Sequence, residues 1–201
     1  MRGCPGANDS TTGVAALLSI ARAPLDRPQR TLRLVFFVNE EPPHFQGPEM
    51  GSLVYARTSK ERGERIVAML SLETLGCYSD APRSQAYPFP FSLIYPSTGN
   101  FVGFVGDVRS RHLVRRVIGT FRREAAFPSE GVAAPASIPG IGWSDQWSFW
   151  QQGYPAVMVT DTAPFRYGAY HTRDDTPEKC DLEKLARVAT GLRAVVADLV
   201  R

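Results

Sequence analysis

Acidic side chains and one histidine recur where apolar runs of this sequence end. Val35-Phe36-Phe37-Val38 leaves into Asn39-Glu40-Glu41, and Leu70-Ser71-Leu72 leaves into Glu73-Thr74-Leu75-Gly76. Val157-Met158-Val159 leaves into Thr160-Asp161-Thr162, and the loop that follows carries Tyr170-His171-Thr172-Arg173-Asp174-Asp175. Gly6-Ala7-Asn8-Asp9 leads directly into an Ala/Leu-rich segment. Crowded carboxylates repel one another unless a proton or a cation intervenes, so a metal is their natural neutraliser. One imidazole with several carboxylates suits zinc, with manganese or cobalt as further options. Each residue also has a plainer reading. Asp9 can cap a helix, Glu40 and Glu41 can be a solvated pair, and His171 can be a hydrogen-bonded loop residue. Taken singly the plainer reading is the commoner one; joint placement at strand exits carries the metal reading. Glu73 is different, because it interrupts a buried apolar run where an unpaired carboxylate is costly.

The elements that must position these residues are legible as alternating strands and helices. Helical patterns cover 13–22, 49–62, 110–126, 144–152 and 182–200. Ser10, Thr11 and Thr12 stand before the first as capping types, and Ser144 stands before the fourth. Buried strands are expected at 31–38, within 65–75, at 101–105 and at 155–160. The stretch 77–96 is a Pro- and aromatic-rich connection, 135–142 is a loop, and 161–181 is a long loop. Such alternation points to a three-layer α/β domain with a mixed, mostly parallel central sheet, in which ligands collect beyond the carboxyl ends of the strands. The 201 residues fit a single domain over 1–201. The net charge of +3 is too small to argue for nucleic acid, and no apolar run reaches the ~18 residues of a membrane span. Only three of the 23 basic residues are Lys, a bias read as genome composition. Cys4, Cys77 and Cys180 include no C-x-x-C pair, so a thiolate zinc site is not expected. The first residues hold no apolar core for a secretion signal and read as the middle of a loop. Compartment and oligomeric state are left open.

The ordered set Gly6-Ala7-Asn8-Asp9-Ser10, Val35 to Glu41, Leu72-Glu73-Thr74-Leu75-Gly76, Ser144-Asp145, Gly153-Tyr154-Pro155-Ala156, Thr160-Asp161-Thr162-Ala163 and Tyr170-His171-Thr172 with Asp174-Asp175-Thr176 resembles the M28 family of zinc peptidases. The resemblance runs nearly end to end. It implies the phosphorylase/hydrolase-like αβα fold and a co-catalytic dizinc aminopeptidase acting on the N-terminal bond of a peptide. It implies Asp9 as the carboxylate bridging two metals and Glu40 as the general base that takes a proton from metal-bound water. Glu41 and His171 become terminal ligands of one zinc, Glu73 the acidic ligand of the other, and Tyr170 a contact to the substrate carbonyl. It also implies a cis peptide at Asp9–Ser10.

The sequence departs from that pattern in two places. The family's second zinc takes a histidine from a His-x-Asp motif upstream of the bridging Asp, and here only His44, His112 and His171 exist, none before Asp9. His44 reads as a loop or cleft residue and His112 as a surface one. The expectation is a domain that lacks its first strands through N-terminal truncation, with one three-ligand zinc site, a weaker second site, impaired activity and an exposed sheet edge. Gln146 stands where relatives often carry His, which bears on substrate binding or support of the ligands. The alternatives are a single-zinc enzyme similar to glutaminyl cyclases and an inactive remnant or binding module.

Overall fold

Among the described residues one sheet is made of four short strands, β1 (Met69–Leu72), β2 (Val102–Gly106), β3 (Ser129–Ala133) and β4 (Ala156–Thr160), of which β2 and β4 are fully buried. This computed structural model describes residues 3–201. The strand order is β1-β4-β2-β3. β1 runs parallel to β4 and β2 parallel to β3, while β2 and β4 are antiparallel. Among the described residues the α-helices are α1 (Thr12–Ala21), α2 (Gly51–Glu61), α3 (Arg111–Glu124), α4 (Gln146–Gln151) and α5 (Leu182–Leu199).

The period-2 alternation of side chains divides the core between the two faces of the sheet. Val102 and Phe104 of β2 and Val157 and Val159 of β4 pack with α1, α3 and α5. Val105, Ala156 and Met158 pack with α2 and α4, around Phe149, Trp150 and Tyr154. In α3, Leu113, Val114, Val117, Ile118 and Phe121 form the buried stripe, and the Phe121 ring meets Phe104 with centroids 5.2 Å apart. Each such side chain contributes up to ~1.5–3 kcal/mol on burial. The Asp181 carboxylate accepts from the Lys184 amide at 2.9 Å and caps α5. The mixed αβα arrangement expected from the sequence is the one observed. Among the described residues no helix is long and apolar enough to cross a membrane.

Three local expectations are corrected. Residues 31–38 are extended but form no strand: among the described residues, no amide or carbonyl of 31–37 makes a backbone hydrogen bond. A slot of about 900 Å³ separates this segment from residues 65–72, so neither run has a ladder partner on that side. Side chains hold it instead. Leu32 packs on the α1/α5 side and Phe37 on the α2/α4 side, where Phe37 meets Tyr55 and Phe149 at 5.5 and 6.1 Å. The expected strand within 65–75 is accordingly shortened to Met69–Leu72. The hydroxyls expected to cap helices also bond elsewhere. Thr11 and Thr12 donate back to the carbonyls of Gly6 and Asn8 at 2.7 Å each, and Ser144 donates to Glu73. β3 was not expected at all, because Ser129-Glu130-Gly131-Val132-Ala133 holds one β-branched residue beside a glycine.

Close packing brings the site together. α1 crosses the end of β1 so tightly that a Cβ at Gly13 would sit 2.2 Å from the Leu72 carbonyl oxygen. The turn before α1 thereby lies beside the exit of β1, and Asp9 beside Glu73. The unpaired segment yields a prediction for hydrogen exchange. The amides of 31–37 should exchange at least ~100-fold faster than those of Val157 and Val159 in the sheet centre; protection equal to β4 would show that a backbone partner exists.

Candidate metal and active site

The tight turn Ala7–Thr11 presents Asp9, and a buried hydrogen-bond network fixes that turn. Asp175 accepts from the amides of Asn8 and Asp9 at 2.8 and 3.1 Å and from the Tyr167 hydroxyl at 2.9 Å. The Asn8 side chain donates to Asp161 at 3.0 Å and accepts from the Gly76 amide at 2.7 Å. Asp161 also accepts from the Cys77 amide at 2.7 Å. Asn8, Asp161 and Asp175 are all fully buried, so each of these bonds replaces water the group has lost. Together they tie the turn of Asp9 to the exits of β1 and β4 and to the loop of His171. The Asp9–Ser10 peptide is cis.

His171 adopts a left-handed backbone (φ 60°), an uncommon conformation for a non-glycine residue. Its ring stacks on Tyr170 with centroids 3.8 Å apart and planes 18° apart. Its Nε2 lies 2.9 Å from Asp9 Oδ2 and 3.4 Å from Glu41 Oε1, within ion-pair range but without hydrogen-bond geometry. One ligand atom from each of Asp9, Glu41 and His171 lies within 4.8 Å of the others. The chain reaches Glu41 through Asn39, also left-handed (φ 58°), a conformation Asn tolerates better than most residues.

Three further carboxyls crowd this trio. Glu73 lies beside Asp9 and accepts from the Ser144 hydroxyl. Glu40 sits among Asp145, Glu41 and Asp9. Loss of water is the main influence on all of them. Burial, reinforced by Glu41, pushes Asp9 up to about 6, with His171 pulling the other way. Burial and then Asp145 push Glu40 up to about 8. Burial raises Asp145 to about 6 against a hydrogen bond from Ser52. Burial followed by repulsion from Glu40 and Asp9 holds Glu73 well above the usual carboxylate range. Tyr170 is likewise raised, first by burial and then by Asp9 and Glu73.

The structure thus brings Asp9, Glu41 and His171 together, sets Glu73 and Glu40 beside them, and stacks Tyr170 on His171. His44 pairs with Glu49 at 3.1 Å, outside the cluster, and His112 is exposed on α3. Gln146 is fully buried and donates to the Ile141 carbonyl at 3.0 Å, so its amide serves the core. Sequence reasoning gave no role to Asp145, Asn8 or Asp175. Each lay next to a residue already singled out, but the sequence does not reveal which atoms they bond.

The residues present fit a divalent cation. His171 Nε2 is buried without a hydrogen-bond partner among the described residues, and two carboxylates converge on it. Imidazole with oxygen donors is a set that zinc accepts. Between Glu73 and Tyr170 the site opens into an apolar cavity of about 90 Å³.

Comparison with known proteins identifies the family. The profile of Peptidase family M28 matches residues 1–196. The uncharacterized protein YfbL of Escherichia coli (strain K12) is 40% identical over 190 residues, 94% of this chain and 58% of YfbL. An aminopeptidase from Aneurinibacillus sp. strain AM-1 superposes with a TM-score of 0.68 and 25% identity, over 100% of this chain and 41% of that one. BSAP, a zinc aminopeptidase from Bacillus subtilis, shares the fold with a TM-score of 0.68 and 19% identity, over 100% of this chain and 44% of that one. The chain therefore spans little more than half the length of its curated relative and less than half of these two enzymes. On the profile match, which spans residues 1–196, the chain belongs to peptidase family M28.

Proposed function

We propose that this chain carries the catalytic centre of a zinc-dependent exopeptidase that removes N-terminal residues from peptides. The observation that supports this most directly is the unpartnered His171 Nε2 facing Asp9 and Glu41. In this reading those three residues hold one zinc and leave a position for water and substrate. Zinc bound there supplies Lewis acidity, making a water acidic near neutral pH and polarising a carbonyl.

The remaining steps belong to the chain's own side chains. Glu40 stands beside Glu41 but is not one of the three residues whose ligand atoms converge, which leaves its carboxylate free to act as a general base that later becomes a general acid. It takes the proton of the attacking water and returns it to the leaving amine. Without a metal the pKa of Glu40 is raised, first by burial and then by repulsion from Asp145. With a cation bound beside it, the Glu73 carboxylate would be negative and would suit the substrate's free α-ammonium group, which favours an exopeptidase acting at the amino end. Tyr170, at the mouth of the apolar cavity, contacts the substrate. A second metal would have only Asp9 and Glu73 among the described residues, so its site binds more weakly.

Two predictions follow from these assignments. Glu40→Gln should lower amine release from a leucine anilide by ~10²–10⁴-fold while zinc content holds, whereas His171→Ala should lower the zinc retained after dialysis. Equal metal loss in both variants, or cyclisation of Gln-peptides without amine release, would contradict the assignment. The second concerns stability of the zinc-free chain. Raised carboxyl pKa values mean that the folded state binds protons more tightly than the unfolded one. That contribution is complete below the ordinary carboxylate range near pH 4. It is lost as pH climbs through about 6 for Asp9 and Asp145 and about 8 for Glu40. The melting temperature of the zinc-free chain should therefore lose ground between pH 5 and pH 8, and zinc should raise it more at pH 8 than at pH 5. Glu40→Gln should flatten the fall; an unchanged slope in that variant would count against Glu40 as the titrating group.

A further inference from the structure

Among the described residues every arginine is exposed except Arg166, which lies in the loop leading from β4 to His171. Its guanidinium reaches inward. Nη1 donates to the carbonyls of Cys77, Gly99 and Phe101 at 3.3, 2.9 and 2.9 Å, and Nε donates to Gln85 at 2.6 Å. Its Cζ lies 4.4 Å from the centre of the Phe101 ring. Gly99 leaves it room: a Cβ there would come within 3.3 Å of Arg166 Cδ and Nε. Neutral carbonyls satisfy the N–H groups, but a charge drawn out of water also needs an opposite charge.

That opposite charge is Asp161. Cys77 stands between the two: its carbonyl accepts from Arg166, and its amide donates to Asp161 Oδ2 at 2.7 Å. The same Oδ2 accepts from the Asn8 side chain at 3.0 Å, while Oδ1 is buried with no hydrogen-bond partner among the described residues. Burial pushes the Asp161 carboxyl up, and Arg166 is the foremost influence against that. Burial pushes Arg166 down, and Asp161 is the foremost influence against that. Each group is thus the main compensation of the other.

The pair bears on the metal site through Asn8. Charged acceptors make the stronger hydrogen bonds, so the hold of Asp161 on Asn8 depends on the carboxylate keeping its charge. Asn8 in turn accepts from the Gly76 amide at 2.7 Å and immediately precedes Asp9. Removing one partner of a buried charge pair leaves the other uncompensated, which is far more costly than removing both.

We propose that Arg166 is a positioning residue of the metal site: across Cys77 it supplies the positive charge that keeps the Asp161 carboxylate bonded to Asn8, and so fixes the turn that presents Asp9. Its consequence for metal rests on the zinc reading above; the charge pair itself does not. Arg166 touches none of Asp9, Glu41 and His171 among the described hydrogen bonds and ion pairs, so its effect reaches them only through the groups it holds.

The test is a double-mutant cycle of Arg166→Met and Asp161→Asn with two readouts: zinc affinity by chelator competition, and hydrogen exchange of the Cys77 amide in the zinc-free chain. Arg166→Met alone should weaken zinc at least ~10-fold and speed exchange of that amide at least ~10-fold. In the Asp161→Asn background the same change should alter either readout by less than about 2-fold, because no charge is then left uncompensated. Arg166→Lys keeps the charge but loses the planar fork, and should hold zinc within about 3-fold; it decides the matter if the methionine variant fails to fold. A guanidinium that merely ties three carbonyls together would make lysine as harmful as methionine and leave the cycle additive. Either result overturns the proposal, as does a folded Arg166→Met chain with both readouts unchanged. An additive cycle in a chain that binds zinc sinks the proposal and spares the zinc reading. If the unaltered chain binds no zinc, the zinc reading and the positioning role fall together, and coupling in the Cys77 exchange would support the charge pair alone.

Discussion

Five carboxyl groups, those of Asp9, Glu40, Glu41, Glu73 and Asp145, meet around one imidazole in a pocket largely shielded from water. Without compensation this arrangement opposes folding, since each charge loses hydration and repels its neighbours. The metal-free chain can relieve it by keeping protons: Glu40 is held near about 8 and Asp9 near about 6. A divalent cation relieves it by attraction. Burial and mutual repulsion thus raise the carboxyls of a cluster that a divalent cation would neutralise. This electrostatic tension underlies the metal reading.

Holding such a cluster in place falls to groups that do not titrate in the proposed mechanism. Asn8, Asp161 and Asp175 are buried and link three separate strand and loop exits through side-chain bonds to backbone amides. Close packing of α1 on β1 at Gly13 sets Asp9 beside Glu73. The sheet centre, with Phe104, Val157 and Val159 fully buried, is the rigid body from which those exits project. The extended segment leading to Glu40 and Glu41 is held differently, by Leu32 and Phe37 on opposite faces and by no backbone ladder among the described residues. The general base and one proposed ligand thus stand on a less secured part of the fold than Asp9 and His171.

Much of this was legible in the sequence because chemistry and topology coincide in α/β proteins. Apolar runs announced β2 and β4, helical periodicity announced α3 and α5, and the acids at strand exits marked the site. Asp9, Glu41 and His171 are far apart in sequence; placement at strand exits grouped the acids with His171, and the resemblance to M28 peptidases implied these three as one ligand set. Residues 31–38 misled because Thr-Leu-Arg-Leu-Val-Phe-Phe-Val has a strand's composition, while pairing depends on a neighbour the pattern does not show. β3 was silent because Gly131 lies against Ile118 of α3, where bulk would clash: a Cβ there would come within 2.9 Å. Ser144 looked like a cap because capping is the commoner fate of a serine before a helix; its bond to Glu73 depends on a residue 71 positions away. The work of Asn8 and Asp175 is similarly non-local.

Zinc K-edge X-ray absorption on the chain loaded with one equivalent of zinc tests the central claim most directly. The account predicts a shell of nitrogen and oxygen donors only, with the scattering signature of a single imidazole, and loss of that imidazole in His171→Ala. Sulfur in the shell, two imidazoles, or zinc that washes away from the intact chain would contradict it.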